Sequence, residues 1–161
     1  MSYQEKRTIA SIISGLLVLA AYCIYAFANT HPEAGDLKFW AVTILIFIGI
    51  GIGLTIVIQI IYHIALSIAI AVKERECDEK KVERTIESAM VEDEMDKLIE
   101  LKSMRVGFAI AGIGFVAGLI VLALGGSGAL MLNILFLSGG FGTIVEGFIS
   151  LHYYRKGVRN A

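Results

Sequence analysis

Long apolar blocks on either side of one charged stretch set the architecture of this chain. Thr8 to Ala28 runs for 21 residues without a charge, about the ~20 needed to cross a bilayer as a helix. Asn29 to Leu37 gathers Thr30, His31, Pro32, Glu33, Gly35 and Asp36, the residue types of a turn. Asp36 is placed to cap the next helix, its carboxylate accepting an orphan backbone N–H. Phe39 to Val72 carries no charge if histidine is neutral. As a helix it is ~50 Å long against a hydrocarbon core of ~30 Å, so it must tilt or protrude. Val106 to Leu124 and Ala129 to Tyr154 are two further apolar runs, joined by the short turn Gly125-Gly126-Ser127-Gly128. The pattern predicts four membrane spans at about 8–28, 39–72, 106–124 and 129–154.

The charged segment 73–105 lies between the second and third spans. Val82, Ile86 and Met90 recur every four residues, and neither proline nor glycine occurs from Lys73 to Arg105, which predicts helix rather than disorder. A break is expected at Val91-Glu92-Asp93. Asp93 would cap a new helix, with Asp96 near the reciprocal position, and Lys97 pairs with Asp93 at a four-residue spacing. Leu98 and Leu101 give that helix an apolar stripe. The predicted fold is thus an all-α membrane protein of four transmembrane helices in a single domain, the second extended into a charged cytoplasmic helical hairpin.

Composition agrees. Hydrophobic residues make up 57% of the 161 and charged residues 18%, and the mean hydropathy is +0.75; soluble domains hold ~45–50% apolar and ~25% charged residues. Lys6 and Arg7 before the first run, with Ala26-Phe27-Ala28 after it, resemble a signal peptide. The apolar core exceeds the ~7–15 residues of such a segment, so a retained first helix is expected. Lysine and arginine gather at the N-terminus, in 73–105 and at Arg155, Lys156 and Arg159, whereas the 29–38 turn has only Lys38 and the 125–128 turn none. The positive-inside rule then places both termini and the charged segment in the cytoplasm of a multi-pass protein of the cell (inner) membrane. Trp40, Tyr153 and Tyr154 suit the interfacial aromatic belts.

Few residues carry candidate chemistry. Glu146 is the one acid well inside an apolar span, and intramembrane acids are costly unless paired or hydrated. Thr143, Gly142 and Ser150 share its helical face. Gln59, His63 and Ser67 form a second polar stripe, with Thr55 above them. Both stripes are expected to turn inward, to form either a structural hydrogen bond between the second and fourth helices or a protonatable Glu146–His63 pair with an ion- or proton-linked role. Gly107, Ala111, Gly114 and Gly118 line one face of the third helix, and Gly139 and Gly142 do the same on the fourth. Such faces let helices approach closely, within the bundle or in a homodimer. Gly49, Gly51 and Gly53 in the second helix suit packing or local flexibility. The charged residues Glu92, Asp93, Glu94, Asp96, Lys97, Lys102 and Arg105 are candidates for docking a cytoplasmic protein, and the function expected first is that of a regulatory or interaction protein. The alternative is a small ion- or proton-linked transporter or channel subunit using Glu146 with Gln59 and His63.

Other classes are disfavoured. There is no basic patch and the isoelectric point is near 6.3, which argues against nucleic-acid binding. The acidic cluster lacks the glycine turn and ligand spacing of a calcium loop. Cys23 and Cys77 fall on opposite sides of the predicted membrane map, so a disulfide between them is not expected. No hydrolase, zinc-protease, nucleotide-loop or C-x-x-C pattern occurs. No metal, cofactor or enzymatic activity is expected; the expected partners are the lipid bilayer, a cytoplasmic protein and a second copy of the chain.

The run Glu92-Asp93-Glu94-Met95-Asp96-Lys97-Leu98-Ile99-Glu100-Leu101-Lys102, followed by Arg105 and an apolar span, resembles a family of uncharacterised prokaryotic four-helix membrane proteins. Their shared stretch reads roughly E-D-E-R-D-x-L-I-x-L-K-x-x-R. The opening Glu5-Lys6-Arg7 and the long second span are similar too. Met95 stands where that pattern has arginine, so any ion pair made by that arginine is missing here. The resemblance implies no specific activity. Members are often encoded beside small helix-turn-helix regulators, which implies a regulatory or stress-response setting.

Overall fold

Apolar periodicity produces helix wherever the chain is described, and no strand occurs among the described residues. The computed structural model describes residues 3–28, 36–74 and 94–156. These form α1 (Tyr3–Ala28), α2 (Leu37–Glu74), α3 (Glu94–Ala123) and α4 (Gly128–Lys156). All four are long and apolar enough to cross a membrane, as a multi-pass protein requires. The predicted continuation of α2 and the break at 91–93 lie outside the described residues.

Local chemistry sets the ends. Asp36 caps α2: the Lys38 N–H donates to Asp36 Oδ1 at 2.9 Å. α3 closes in a Schellman turn, with the Gly126 N–H on Val121 O at 2.9 Å and the Gly125 N–H on Leu122 O at 3.1 Å. Gly125 sits there at φ 87°, a conformation costly for residues with a Cβ. Ser127 then caps α4, accepting from the Leu130 N–H at 3.1 Å. The third helix begins twelve residues before the predicted span at 106. Its charged first turns continue into the apolar run without a break, and Ile99 and Ser103 within them are buried in the bundle.

Much of the interior is made of small and polar residues, while many large apolar ones lie on the surface. Buried positions include Ser14, Thr43, Ser103, Gly107, Gly114, Gly118 and Gly142. Leu17, Ile24, Leu45, Phe108, Ile113 and Phe141 are exposed. In water that arrangement would be unstable. In lipid it is expected, because tails are as apolar as leucine and close backbone packing drives association instead.

The antiparallel pair α3–α4 forms the most extensive seam, α1 lies on α4, and α2 borders α1 and α4 more lightly. Along the seam a Cβ on Gly142 would come 2.7 Å from Gly107 O, and one on Gly114 would collide with Ser138. Gly118 packs against Met131. The glycine face of α3 is therefore covered within the chain. Among the described residues nothing lies within 4 Å of a Cβ built on Gly139. The fourth helix instead meets α1 through Gly140, against Leu19, and Gly147, against Ile12. Spacing sets Gly139 along the Gly142 face, but the close approaches of α4 to α3 and α1 fall at Gly142, Gly140 and Gly147.

At the end of the bundle away from Lys6 and Lys156, Tyr22, Trp40 and Ala129 form the core. Trp40 is buried there, not displayed in an interfacial belt. Tyr22 meets Phe136 at 4.4 Å and Phe47 at 5.1 Å between ring centroids, and its hydroxyl donates to Asn133 Oδ1 at 2.7 Å.

Candidate functional site

At the opposite end, where α1 and α3 begin and α4 finishes, the three helices enclose a polar cavity of about 220 Å³. The first helix contributes Gln4, Arg7, Thr8 and Ser11; α3 contributes Asp96, Glu100 and Ser103; α4 contributes Thr143, Glu146, Ser150 and Tyr154. Helical spacing brings them together. Residues 96, 100 and 103 share one face of α3, as do 143, 146, 150 and 154 on α4. The start of α1 presents its own polar stripe at 4, 7, 8 and 11.

Glu146 lies ten residues, or ~15 Å, from the end of α4. With ~40–45 Å for a bilayer including its headgroups and ~30 Å for the core, this sets Glu146 some 8–10 Å inside the hydrocarbon when α4 spans it. Its carboxylate rests over α3: a Cβ on Gly107 would come 2.5 Å from Glu146 Oε2. Only glycine leaves that space. The carboxylate opens into the cavity.

Three of the hydroxyls around it are polarised in one sense. Thr8 Oγ1 donates to Gln4 O at 2.9 Å, Ser103 Oγ to Ile99 O at 2.8 Å and Thr143 Oγ1 to Gly139 O at 3.1 Å. With their protons directed at backbone carbonyls, these oxygens turn lone pairs to the cavity. Three carboxylates, from Asp96, Glu100 and Glu146, add to them, against one guanidinium, from Arg7. The lining is rich in acceptors and suits a proton or a small cation. Among the described residues no group of histidine, cysteine and carboxylate ligands has the geometry to chelate a metal ion.

The predicted α4 stripe is thus assembled, with Thr143, Glu146 and Ser150 in one cavity. Among the described residues the cavity around Glu146 is walled by α1, α3 and α4; the side chains of His63 and Ser67, on which the expected pairing rests, lie outside the described residues. Gln59 lines two neighbouring cavities instead, sharing one of them with Thr143 and both with Ser11. Thr55 is exposed and bonded to Gly51 O at 2.9 Å. The contributions of α1, and of Ser103 and Glu100, went unread as a site. Their signal was the i, i+3/i+4 recurrence of polar residues at the head of two apolar helices.

The docking candidates are distributed. Glu94, Lys97 and Arg105 are exposed, Asp96 and Lys102 half-buried, and Glu92 and Asp93 lie outside the described residues. Met95, Leu98 and Leu101 are exposed beside them. Compared with protein-family models, curated proteins and solved structures, the chain matches none.

Proposed function

We propose that this chain is a multi-pass protein of the cell membrane, its basic end in the cytoplasm, that admits a proton or a small monovalent cation to Glu146 through the acceptor-lined cavity. One observation carries this role. Glu146, on a helix long and apolar enough to cross a membrane, faces a cavity in which the hydroxyls of Thr8, Ser103 and Thr143 direct their protons to backbone carbonyls. Buried acids without a partner are costly in lipid, and a hydrated or cation-occupied cavity offsets that cost. Wild-type protein reconstituted in proteoliposomes is expected to carry a proton, sodium or potassium flux that Glu146→Gln abolishes. Flux absent from the wild type, or equal in the variant, sinks the proposal.

A second role is favoured by the exposed apolar side chains Met95, Leu98 and Leu101 among the charges of α3. There the charged segment, completed by a helical hairpin through 75–93, docks a cytoplasmic regulatory partner. Crosslinking pull-downs would recover that partner with the intact chain and lose it when 73–105 is replaced by a neutral linker; equal recovery from both rejects the role. A homodimer would have to use a surface other than the glycine face of α3.

A further inference from the structure

A second concavity lies between α1, α2 and α4. Two cavities, of about 480 Å³ and 120 Å³, share Ser11, Ser14, Thr55 and Gln59 and so run into one another. Their joint lining changes character with depth. Val18, Leu19, Phe47, Ile48 and Phe136 form the inner part. Arg7, Gln59 and Tyr62 form the mouth. Two of the hydroxyls between them are satisfied internally: Ser14 Oγ donates to Ser11 O at 2.9 Å and Thr55 Oγ1 to Gly51 O at 2.9 Å. Ser14 and Thr55 therefore direct no proton into the groove, which Ser11 also lines.

Glycine opens the groove. Gly51 lines it, and a Cβ there would meet only Val18 Cγ1, at 3.9 Å. From Phe47 to Tyr62 α2 rises ~22 Å. One leaflet, headgroup included, is half of ~40–45 Å. The groove thus matches a single leaflet in length, with its apolar part at tail depth and its guanidinium at headgroup depth. It lies on the side where Lys6 and Arg7 begin the chain, where anionic lipid is drawn to basic residues. Arginine matches phosphate through paired N–H donors.

From this we infer that the α1–α2 groove seats one acyl chain of an anionic phospholipid, with the phosphate at Arg7 and Gln59. The lipid fills the gap left by the light packing of α2 and joins that helix to the rest of the bundle. The groove borders the Glu146 cavity and shares Arg7, Ser11 and Thr143 with it, but the inference does not depend on that cavity's role.

The test is native mass spectrometry of the full chain released from nanodiscs holding equal phosphatidylglycerol and phosphatidylcholine. One retained phospholipid per chain is expected, with phosphatidylglycerol favoured about fivefold, the share of one basic residue near the surface. Gly51→Leu fills the groove and should cut retention at least about tenfold. Gly53→Leu, which adds the same bulk where nothing lies within 4 Å, should not. Arg7→Gln should abolish the preference for phosphatidylglycerol. Ile56→Trp provides a second groove-filling change if Gly51→Leu fails to fold. Retention by the groove-filling variants equal to that of Gly53→Leu overturns the inference. So does an undiminished phosphatidylglycerol preference in Arg7→Gln, or a groove that loses a second copy of the chain instead of lipid.

Discussion

Replacing Gly142 by alanine tests the α3–α4 seam most directly. The added Cβ would stand 2.7 Å from Gly107 O, 3.5 Å from its carbonyl carbon and 3.6 Å from its Cα. The first is a backbone atom and cannot swing aside. Ordinary contact begins near 3.4 Å, so the helices must part by ~0.7 Å, a gap that forfeits a quarter to a half of each dispersion contact along the seam. Overpacking of this kind costs ~1–3 kcal/mol. Alanine recovers ~0.5–1 kcal/mol over glycine in a helix interior, which leaves a net loss of up to ~2.5 kcal/mol. Gly139→Ala, three residues away with open space around its Cβ, keeps the propensity gain and avoids the clash. The two variants should therefore differ by ~1–3 kcal/mol. At ~2–4 °C per kcal/mol for a chain of this size, their thermal midpoints in detergent should lie ~2–12 °C apart, with Gly139→Ala the higher. Near-UV circular dichroism of Trp40 and the tyrosines reads the transition. Equal midpoints would refute the claim that backbone contact at Gly107–Gly142 holds the seam.

Four further changes follow from the structure. Gly107→Ala meets the mobile end of Glu146 first, so it should lower any Glu146-dependent flux more than it lowers the thermal midpoint; parallel losses would count against that placement. Tyr22→Phe removes the 2.7 Å bond to Asn133 and should cost ~0.6–2 kcal/mol, with a double-mutant cycle against Asn133→Leu showing coupling between the two. Asp36→Ala should cost ~0.5–2 kcal/mol and speed hydrogen exchange selectively at the first turn of α2. Gly125→Ala forces a Cβ into a positive φ of 87° and should lower stability by ~1–2 kcal/mol, read as a fall in midpoint without loss of helicity.

Periodicity and length alone determined four long apolar helices, because an apolar run of ~20 residues has few other ways to satisfy its backbone in lipid. The Asp36 cap and the glycine face at 107, 114 and 118 were equally legible, since capping and close approach depend on local residue type and helical spacing. Which helix each face meets was not legible. Spacing put Gly139 beside Gly142, and only the two-seam packing of α4 showed Gly140 and Gly147 as the contacts with α1. Spacing likewise put Glu146 and Gln59 on inward stripes, but inward has several directions in a bundle. Tertiary packing turned Glu146 over Gly107 toward the starts of α1 and α3, and left Gln59 at the α1–α2 groove. Long-range juxtaposition of this kind depends on how helices rotate about their axes. That rotation is set by which small residues let two backbones touch, a property of pairs of helices that no single stretch of chain contains.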